Sequence, residues 1–481
     1  MEEARQLFLN ACDHLAAKRP ADAEVLLRKA LLLVPGRPSL LLNLAAALIA
    51  QQRHQEALSL CVDVCEQQPD NAVAWMNRGL CELALDDEPA ALRSLQTACQ
   101  LDPDNHEAHS NLAVVLSQLG QDFAALEANT RATTLCPNDA ELLTSQGTLL
   151  RAVNRLDEAK AAHEHAIALD PMCVNAHWNL SLVELTRGNH ARGFALAEWR
   201  WRDPAFIART PMPSSPRWDG RSSLKGQRLL LVAEQGLGDT LQFCRFVSHL
   251  QAQGADVAIQ VQSALCELLT SLLCPVHDLA KTPPAHDLHC PLMSLPGLLN
   301  VTTENTPAHV PYLTPPAERA AVWQARLGPK HQRRIGLVWR GNQALRSGRS
   351  RSLPVTLLAP LLRDDIEFFS LQKELGSADI QWLAQHPQVR SFHDSLRDFA
   401  DTAALMACCD HVISIDTSVA HLAGAMGKPA SIMLIHAADW RWGQQSIQGN
   451  RCPWYPTLQL FRQAKPGDWH GVIQAVAQTL S

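Results

Sequence analysis

An aspartate follows two closely spaced glycines in the segment Gly236-Leu237-Gly238-Asp239, directly after the apolar residues 229–233. Glycines let the backbone approach a ligand closely, and the N-terminus of a following helix directs N–H groups towards it. A carboxylate at this edge could act as a general base that takes the proton of an attacking hydroxyl. The alternative is that Asp239 only caps the helix. The third glycine of a dinucleotide-binding fingerprint is missing, which argues against NAD.

A second polar turn, at residues 416–421, directly follows residues 413–415, Ile-Ser-Ile. Hydroxyl groups and free N–H groups at a strand-to-helix turn form a pocket for an anion, and the helix dipole adds to the attraction. A diphosphate suits such a pocket, which would be formed by Asp416, Thr417, Ser418 and His421. The alternative is a plain capping turn followed by a histidine that belongs to the core.

The segment at residues 346–351 is rich in arginine, with Arg346, Arg349 and Arg351. A guanidinium group is a planar donor that can bind a phosphate through two N–H groups. A diphosphate that leaves during a reaction needs positive charge, so Arg346 and Arg351 are candidates for that role. The alternative is a solvated surface loop.

We expect no metal site and no cofactor. No D-x-D pair occurs in the segments that carry these turns, so helix ends and arginines would meet the charge of a leaving group. His286, His289 and Cys290 lie close together in the sequence. A zinc site needs about four ligands, and no partner cluster has a suitable spacing.

Short apolar runs that alternate with helical stretches must position these three segments. Such runs are typical of strands that are buried on both faces of a parallel sheet. They occur at residues 229–233 and 257–261, and in a second series at 335–339, 366–371, 411–415 and 430–435. We therefore predict two doubly wound α/β halves with a cleft between their carboxyl edges, where ligands bind in such folds.

The first two-fifths of the chain repeat with a period of thirty-four residues. Prolines recur at this spacing, at Pro35, Pro69, Pro103, Pro137 and Pro171. Twenty-four residues before each proline the side chain is small, at Ala11, Ala45, Gly79, Ala113 and Gly147. Small residues allow two helices to cross closely, and proline ends the second helix of each pair. The period is typical of the tetratricopeptide (TPR) class of stacked helix pairs.

One position of the repeat is occupied by asparagine in four of five units: Asn43, Asn77, Asn111 and Asn179, with Ser145 in the fourth. Asparagine has no propensity reason to lie inside a helix. Its amide can pair with a peptide backbone whatever side chains the peptide carries. We expect these asparagines to bind an acceptor polypeptide; the alternative is that they bond between adjacent repeats.

The predicted segments are a TPR solenoid at 1–207, with five full repeats and a degenerate sixth, and a proline-rich linker at 208–227. An N-terminal α/β half at 228–316 and a C-terminal half at 317–481 follow. The fold class is thus an all-α solenoid followed by an α/β region.

Bulk composition excludes several classes of protein. The 481 residues carry a net charge of −6 and two tyrosines, which argues against a nucleic-acid partner. The fourteen cysteines form no C-x-x-C pairs, as expected for thiols in a reducing compartment. The sequence shows neither a signal-peptide core nor an apolar run of membrane-spanning length. We expect a cytoplasmic protein without an integral membrane segment.

Three stretches resemble those of a known family: AEQGLGDTLQFCRF, DFADTAALMACCDHVISIDTSVAHLAGAMGKP, and a tail with DWRWGQQ and CPWYPTLQLFRQ. They are similar to bacterial TPR proteins with a glycosyltransferase domain of the ADP-heptose:lipopolysaccharide heptosyltransferase type, family nine. The resemblance covers essentially the whole chain. It implies a GT-B fold of two Rossmann-like halves and metal-independent transfer of a sugar with inversion.

The resemblance also implies roles for individual residues. Asp239 would be the catalytic base, next to Gly236 and Gly238 on the donor side. The turn with Asp416, Thr417, Ser418 and His421 would hold the diphosphate of the nucleotide sugar, and Gly424 would allow its close approach. The family usually has a glycine where this chain has Ser418, and its basic residue matches Arg346 or Arg351 only loosely. Heptose, N-acetylglucosamine and deoxyhexoses therefore all remain open as donor sugars.

A second resemblance is to protein O-GlcNAc transferase, in which a TPR superhelix precedes a GT-B domain and an asparagine ladder binds the acceptor. The combination predicts an inverting glycosyltransferase whose array holds a protein acceptor. A lipopolysaccharide-type saccharide is the alternative acceptor. The competing class is a non-catalytic TPR scaffold whose transferase domain has degenerated.

Overall fold

The structure is a computed structural model that describes residues 1–302, 304–306, 309–444 and 449–480, without the side chains of residues 346 and 347. It divides into two compact units, residues 1–173 and 174–481. The sixth helix pair, which the sequence assigned to the array, falls in the second unit. Each unit is described by itself.

The first unit consists of five antiparallel helix pairs, as the thirty-four-residue period predicted. The second helix of each pair ends two residues before the repeated proline, because proline cannot continue a helix. The helices, α1 to α10, are Glu2–Ala16, Pro20–Leu33, Pro38–Ala50, His54–Gln67, Ala72–Ala84, Glu88–Leu101, His106–Gln118, Asp122–Leu135, Ala140–Ala152 and Leu156–Leu169.

Side-chain caps begin several first helices of the pairs. The side chains of Asn71 and Asn105 accept hydrogen bonds from the backbone N–H groups of Ala74 and Ala108, at 3.1 and 2.9 Å. Each cap satisfies a backbone donor that a helix start otherwise leaves free. In these two repeats, the polar residue after the proline therefore sets where the next helix pair begins.

Small residues lie where the two helices of a pair cross, as the sequence predicted. A Cβ atom placed on Gly79 would lie 2.6 Å from Cγ of Leu95. A Cβ atom on Gly147 would lie 2.5 Å from Cε1 of the buried His163. These glycines are therefore fixed by packing, since no side chain fits between the helices.

We expect Gly147→Ala to destabilise the array by about 1–3 kcal/mol, because the new methyl group would clash with His163. In an unhindered helix the same change would stabilise by about 1 kcal/mol. Urea unfolding followed by circular dichroism measures the difference. Ser145→Ala, at an exposed position of the same helix, is the control and should leave the midpoint almost unchanged. A higher midpoint for Gly147→Ala would contradict the packing argument.

The second unit begins with helices and continues with two parallel sheets. Its helices, α11 to α23, are Val174–Thr186, His190–Ala197, Pro204–Arg209, Leu237–Phe243, Phe246–Ala252, Cys266–Leu269, Leu295–Leu298, Ala317–Leu327, Arg346–Arg351, Ser377–Gln385, Phe399–Ala407, Ser418–Ala425 and Trp469–Gln478. Short 3₁₀ helices include Glu198–Arg202, Val355–Leu361 and Trp440–Trp442. The strands, β1 to β10, are Arg228–Val232, Asp256–Val261, Val276–Asp278, Leu288–Pro291, Arg333–Val338, Ile366–Ser370, Val389–Ser391, His411–Ile415, Ala430–Leu434 and Leu458–Arg462.

The two sheets have doubly wound strand orders. The first sheet has the order β3-β2-β1-β4 and the second β10-β9-β8-β5-β6-β7, with all named pairs parallel. If the strands of the second sheet are renumbered from 1, starting at β5, their order from β7 to β10 is 3-2-1-4-5-6. The order reverses beside β1 in the first sheet and beside β5 in the second. Ligands of such sheets bind at these reversal points, outside the carboxyl ends of the strands.

The α/β architecture agrees with the sequence prediction, but several elements were not predicted. None of the predicted strands lies between residues 275 and 316, where the structure has β3, β4 and α17. These elements are only three or four residues long, too short for a periodic pattern to show. The short β7 and the late β10 were missed as well.

Candidate functional site

The two polar turns meet at the reversal points of the two sheets. Asp239 lies in the first turn of α14, which follows β1, and Ser418 begins α22, which follows β8. A Cβ atom on Gly238 would lie 2.9 Å from Cδ2 of His421. The absence of a side chain at Gly238 thus lets one turn touch the other. A ligand was expected to approach the backbone at this glycine, but the side chain that lies against it is that of His421.

The carboxylate of Asp239 has partners on both oxygens. Its Oδ2 accepts a hydrogen bond from the backbone N–H of Gly236 at 2.8 Å, which is the capping contact considered as the alternative. Its Oδ1 accepts a hydrogen bond from Nη2 of Arg441. To act as a base, Asp239 would have to exchange the bond to Arg441 for one to a hydroxyl group.

Arg441 is a site residue that the sequence analysis missed. It lies in the 3₁₀ helix Trp440–Trp442, and its Nη1 donates to Asp439 at 2.8 Å. Burial disfavours its charge, but the carboxylates of Asp239 and Asp439 outweigh burial and raise the pKa of Arg441. The motif DWRW was visible in the sequence, yet nothing in its spacing placed it opposite residue 239.

The second turn is built around a buried carboxylate. Asp416 is 9% exposed, and its Oδ2 accepts a hydrogen bond from Nη1 of Arg351 at 3.1 Å. Burial raises the pKa of Asp416, and the charge of Arg351 opposes that rise. Arg462, at the end of β10, is half-buried, and desolvation lowers its pKa to about 10 against the charge of Asp416. Arg351 is thus at the predicted site, whereas Arg462 was not predicted.

Two guanidinium groups of this cluster keep a free donor. Among the described residues, Nε of Arg351 and Nε of Arg441 are buried without a hydrogen-bond partner. A buried N–H group without an acceptor costs about 1–3 kcal/mol. An anion bound between the two turns could accept from both groups.

The other residues predicted to bind the nucleotide sugar differ in how the structure places them. The hydroxyl oxygen of Thr417 lies 3.3 Å from that of Ser414, and Ser418 is the first residue of α22. A Cβ atom on Gly424 would lie 2.4 Å from Cδ1 of Tyr455, so the ring of Tyr455 occupies the space that was expected to admit a ligand. The side chain of Arg346 lies outside the described part of the chain.

His421 is a neutral core histidine, the alternative that the sequence left open. It is 4% exposed, and its Nδ1 lies 3.0 Å from the hydroxyl oxygen of Tyr455. Its ring stacks on Trp442 with centroids 4.9 Å apart. Burial, helped by the charge of Arg441, lowers the pKa of His421 to about 3. At neutral pH the ring of His421 is therefore uncharged.

Arg245 joins the two halves of the second unit near the turns. It is 3% exposed and donates from Nη1 to the backbone carbonyl of Trp454 at 3.0 Å. Its Nη2 donates to the hydroxyl of Tyr312 at 3.2 Å, and its guanidinium group lies 4.7 Å from the ring centroid of Tyr455. Phe243 packs edge-on against Trp454, with centroids 6.4 Å apart. These contacts hold α14 against the C-terminal tail.

A buried ion pair lies directly before the first turn. Glu234 follows β1, and its Oε2 accepts from Nε of Arg200 at 2.8 Å. The backbone N–H of Met293, after β4, donates to Oε1 of Glu234 at 2.9 Å. Burial raises the pKa of Glu234, and the charge of Arg200 opposes it. The pair fixes the chain where the first sheet reverses its order.

The asparagines of the repeat occupy equivalent positions in their helices. Asn43, Asn77 and Asn111 are each the sixth residue of a first helix in the first unit, as Asn179 is of α11 in the second. Nδ2 of Asn43 and of Asn179 donates to the carbonyl group four residues earlier, at 2.9 Å in both cases. The side-chain oxygen of Asn43 also accepts a weak bond from the thiol of Cys12 at 3.9 Å. Peptide binding by these asparagines stays a prediction.

Comparison with known families identifies the repeats. Models described as tetratricopeptide repeat match residues 14–81 and 144–198, and a model described as TPR repeat matches residues 87–120. The chain therefore contains TPR repeats, which extend into the first helices of the second unit.

One curated relative is Protein FlbA of Caulobacter vibrioides, 29% identical over 296 residues. The match covers 55% of this chain and 48% of that protein, so the chain spans about half the length of the relative. A match of that extent is longer than the first unit of 173 residues and therefore continues into the second.

Solved structures of TPR proteins resemble the helical part. A thermophilic TPR protein of Thermus thermophilus is 21% identical, with a TM-score of 0.34, and covers 38% of this chain and 99% of its own. YrrB, described as a TPR protein with an unusual peptide-binding site, is 22% identical, with a TM-score of 0.32, over 36% of this chain and 89% of its own.

Two kinds of feature are absent from the described residues. None of the described helices is long and apolar enough to cross a membrane. In the same ranges, no group of three or more His, Cys, Asp and Glu side chains is arranged to hold a metal ion.

We expect His421 to make folding depend on pH. Its pKa in the folded protein, about 3, lies below its ordinary value of 6.5, so the unfolded chain binds the proton more tightly. Stability should therefore fall as the pH drops below about 6.5, by roughly 2 kcal/mol at pH 5 from this residue. His421→Phe should flatten that part of a pH series of urea unfolding curves. The exposed His249, changed to Phe, is the control, and an equal slope in both variants would contradict a buried neutral His421.

Proposed function

We propose that this chain is an inverting, metal-independent glycosyltransferase of the GT-B type that modifies a protein held by its TPR array. The observation that carries the proposal is the meeting of the two turns: Gly238 of one doubly wound half touches His421 of the other. A nucleotide sugar held at the second turn would then lie next to Asp239. The strand orders support the same reading, since both turns follow strands at the reversal points.

Donor binding in this proposal depends on arginines. Arg351 and Arg441 each keep a buried Nε–H group without a partner in the described part of the chain. The diphosphate would accept hydrogen bonds from these groups, and the N-terminus of α22 would add its dipole. The arginines would then stabilise the charge that develops on the leaving diphosphate.

The reaction would use Asp239 as the base. When Arg441 turns towards the diphosphate, Oδ1 of Asp239 becomes available to the acceptor hydroxyl. The carboxylate takes the hydroxyl proton, the oxygen forms a bond to the anomeric carbon, and the bond from that carbon to the diphosphate breaks on the opposite face. Donor binding and activation of the base are thereby linked through one arginine.

The TPR array would supply the acceptor protein. TPR arrays present concave surfaces that bind polypeptides, and the asparagines at the sixth helical positions can pair with a peptide backbone. Tethering raises the concentration of an acceptor near the catalytic unit without any new contact at the reacting atoms.

We expect Asp239→Asn to abolish sugar transfer and to leave nucleotide binding nearly unchanged, because the amide cannot take a proton. The measurement is release of free nucleoside diphosphate from a panel of nucleotide sugars, with binding followed by calorimetry. Asp256→Asn, an exposed carboxylate at the start of β2, is the matched control. Transfer by Asp239→Asn at the wild-type rate would remove Asp239 from the catalytic role.

We expect the double change Asn77→Ala and Asn111→Ala to lower sugar transfer to protein acceptors about tenfold, since each lost backbone hydrogen bond costs roughly 0.5–1.5 kcal/mol. Hydrolysis of the nucleotide sugar without an acceptor should stay the same. Labelled sugar incorporated into proteins of the source cell, separated by electrophoresis, gives the first quantity. Ser145→Ala is the control at the equivalent position, and equal incorporation by all variants would defeat the asparagine ladder.

A non-catalytic TPR adaptor is the second candidate, and one observation favours it. Both oxygens of Asp239 already have partners, and His421 is buried and neutral. A degenerated domain could keep such contacts for stability alone. Absence of turnover and of any thermal shift with every nucleotide sugar would favour the adaptor. Transfer to a lipopolysaccharide-type saccharide, with none to proteins, would favour the other acceptor.

A further inference from the structure

A cavity of about 750 Å³ lies at the carboxyl edge of the first sheet, beside the Gly236 turn. Ala233 after β1, Gln260 in β2 and Leu279 after β3 form one side of it. The proline-rich residues 209–215 and 283–286 form the other side. Neither the catalytic proposal nor the TPR repeats account for this cavity.

The cavity is positively charged. Arg209, Lys281 and His286 line it, and none of its lining residues carries a carboxylate. The exposed side chains of Arg209 and Lys281 have no hydrogen-bond or ion-pair partner within the described ranges. Other arginines of this unit are paired, such as Arg228 with Asp287 and Arg319 with Glu267. The charge of Lys281 also acts on Asp278, which lies outside the lining. Two cations without an ion pair at one cavity, in a chain of net charge −6, still favour an anionic ligand.

A second cavity, of about 520 Å³, continues from the first across Arg209 and Thr210, which line both. Trp178 of α11 and Phe206 of α13 give it aromatic walls. Its carboxylates are already engaged: Glu234 with Arg200, and Asp203 as the cap of α13. The pair of cavities, here called the basic trough, exceeds the roughly 1,000 Å³ of the largest usual small-molecule pockets. Its size therefore suits an extended segment of a polymer better than a small molecule.

The floor of the basic trough has a group suited to a peptide backbone. Gln260 is 2% exposed, and its Nε2 donates to the carbonyl groups of Asp278 and Lys281, at 3.2 and 2.8 Å. Both hydrogens of that amide are thus used, so its oxygen is left as an acceptor. An acceptor of this kind matches a peptide N–H group, and the cations beside it match acidic side chains.

We propose that the basic trough binds an acidic segment of a polypeptide, the part of the acceptor protein that flanks the modified residue. This rests on the proposed function in so far as the acceptor is a protein. Gln235 lines the trough, and Asp239 follows four residues later in the same turn. A segment anchored by its acidic side chains at Arg209 and Lys281 would leave a neighbouring hydroxyl residue near Asp239.

The test uses the full chain and two fluorescein-labelled peptides of about ten residues, one of Glu, Ser and Gly and one with Lys in place of Glu. We expect the acidic peptide to bind more tightly by fluorescence anisotropy, and more weakly as salt is raised. Lys281→Glu and Arg209→Glu should each weaken it about tenfold, since each removes a charge-assisted contact. Lys225→Glu, at an exposed lysine before β1, is the matched control and should change nothing.

Equal binding of the two peptides, or affinity that ignores both charge reversals, would overturn the proposal. An acidic oligosaccharide, oligogalacturonate, is the third probe. Its binding at Lys281 without binding of the acidic peptide would overturn the polypeptide as ligand in favour of a saccharide. Circular dichroism confirms that the exposed substitutions leave the fold intact.

These assays contain no nucleotide sugar, so the two proposals can fail separately. If no sugar transfer is observed but peptide binding still depends on Lys281, the basic trough remains a docking site without the transferase. If both charge reversals leave sugar transfer unchanged, the transferase proposal holds and the basic trough is not part of the acceptor site.

Discussion

The second unit depends on a contact that leaves no space for a side chain at residue 238. The first turn of α14 lies against the ring of His421, and a methyl group there would overlap the imidazole. The imidazole is held in turn by Tyr455 and Trp442, and Arg245 ties the same tail to α14. Interiors packed at this density transmit a displacement of one group to its neighbours. The separation of Asp239 from the residue 416 turn is therefore set by packing, before any ligand binds.

Charge in the site is shared between buried or half-buried arginines and carboxylates. Three arginines and three carboxylates interact there: Arg351, Arg441, Arg462, Asp239, Asp416 and Asp439. Buried ion pairs recover only part of the cost of leaving water, so they contribute little net stability. In the proposed reaction, a diphosphate would compete with these carboxylates for the guanidinium groups. The carboxylate released by that competition is the one proposed as the base.

The helical array follows a different physical rule. Each helix pair contacts mainly its neighbours, so its stability is a sum of local terms and no single residue controls the whole. The exceptions are crossing positions such as Gly147, where the partner His163 fills the available space. Asparagine recurs at the sixth helical position, where Asn77 is buried and Asn43 accepts a weak bond from Cys12 of the preceding repeat.

Residue order alone determined the helix pairs, the ends set by proline, and most strands of both sheets, because these depend on local periodicity and on backbone restrictions. It also pointed to Asp239 and Asp416, since polar turns after buried strands lie at one sheet edge. It did not show that Arg441, some two hundred positions later, pairs with Asp239, or that Tyr455 fills the space at Gly424. Contacts between residues so far apart are decided by how the two sheets pack, and no spacing along the chain records that. Only the tertiary structure could therefore show that His421 is a buried neutral ring and that Gly238 lies against it.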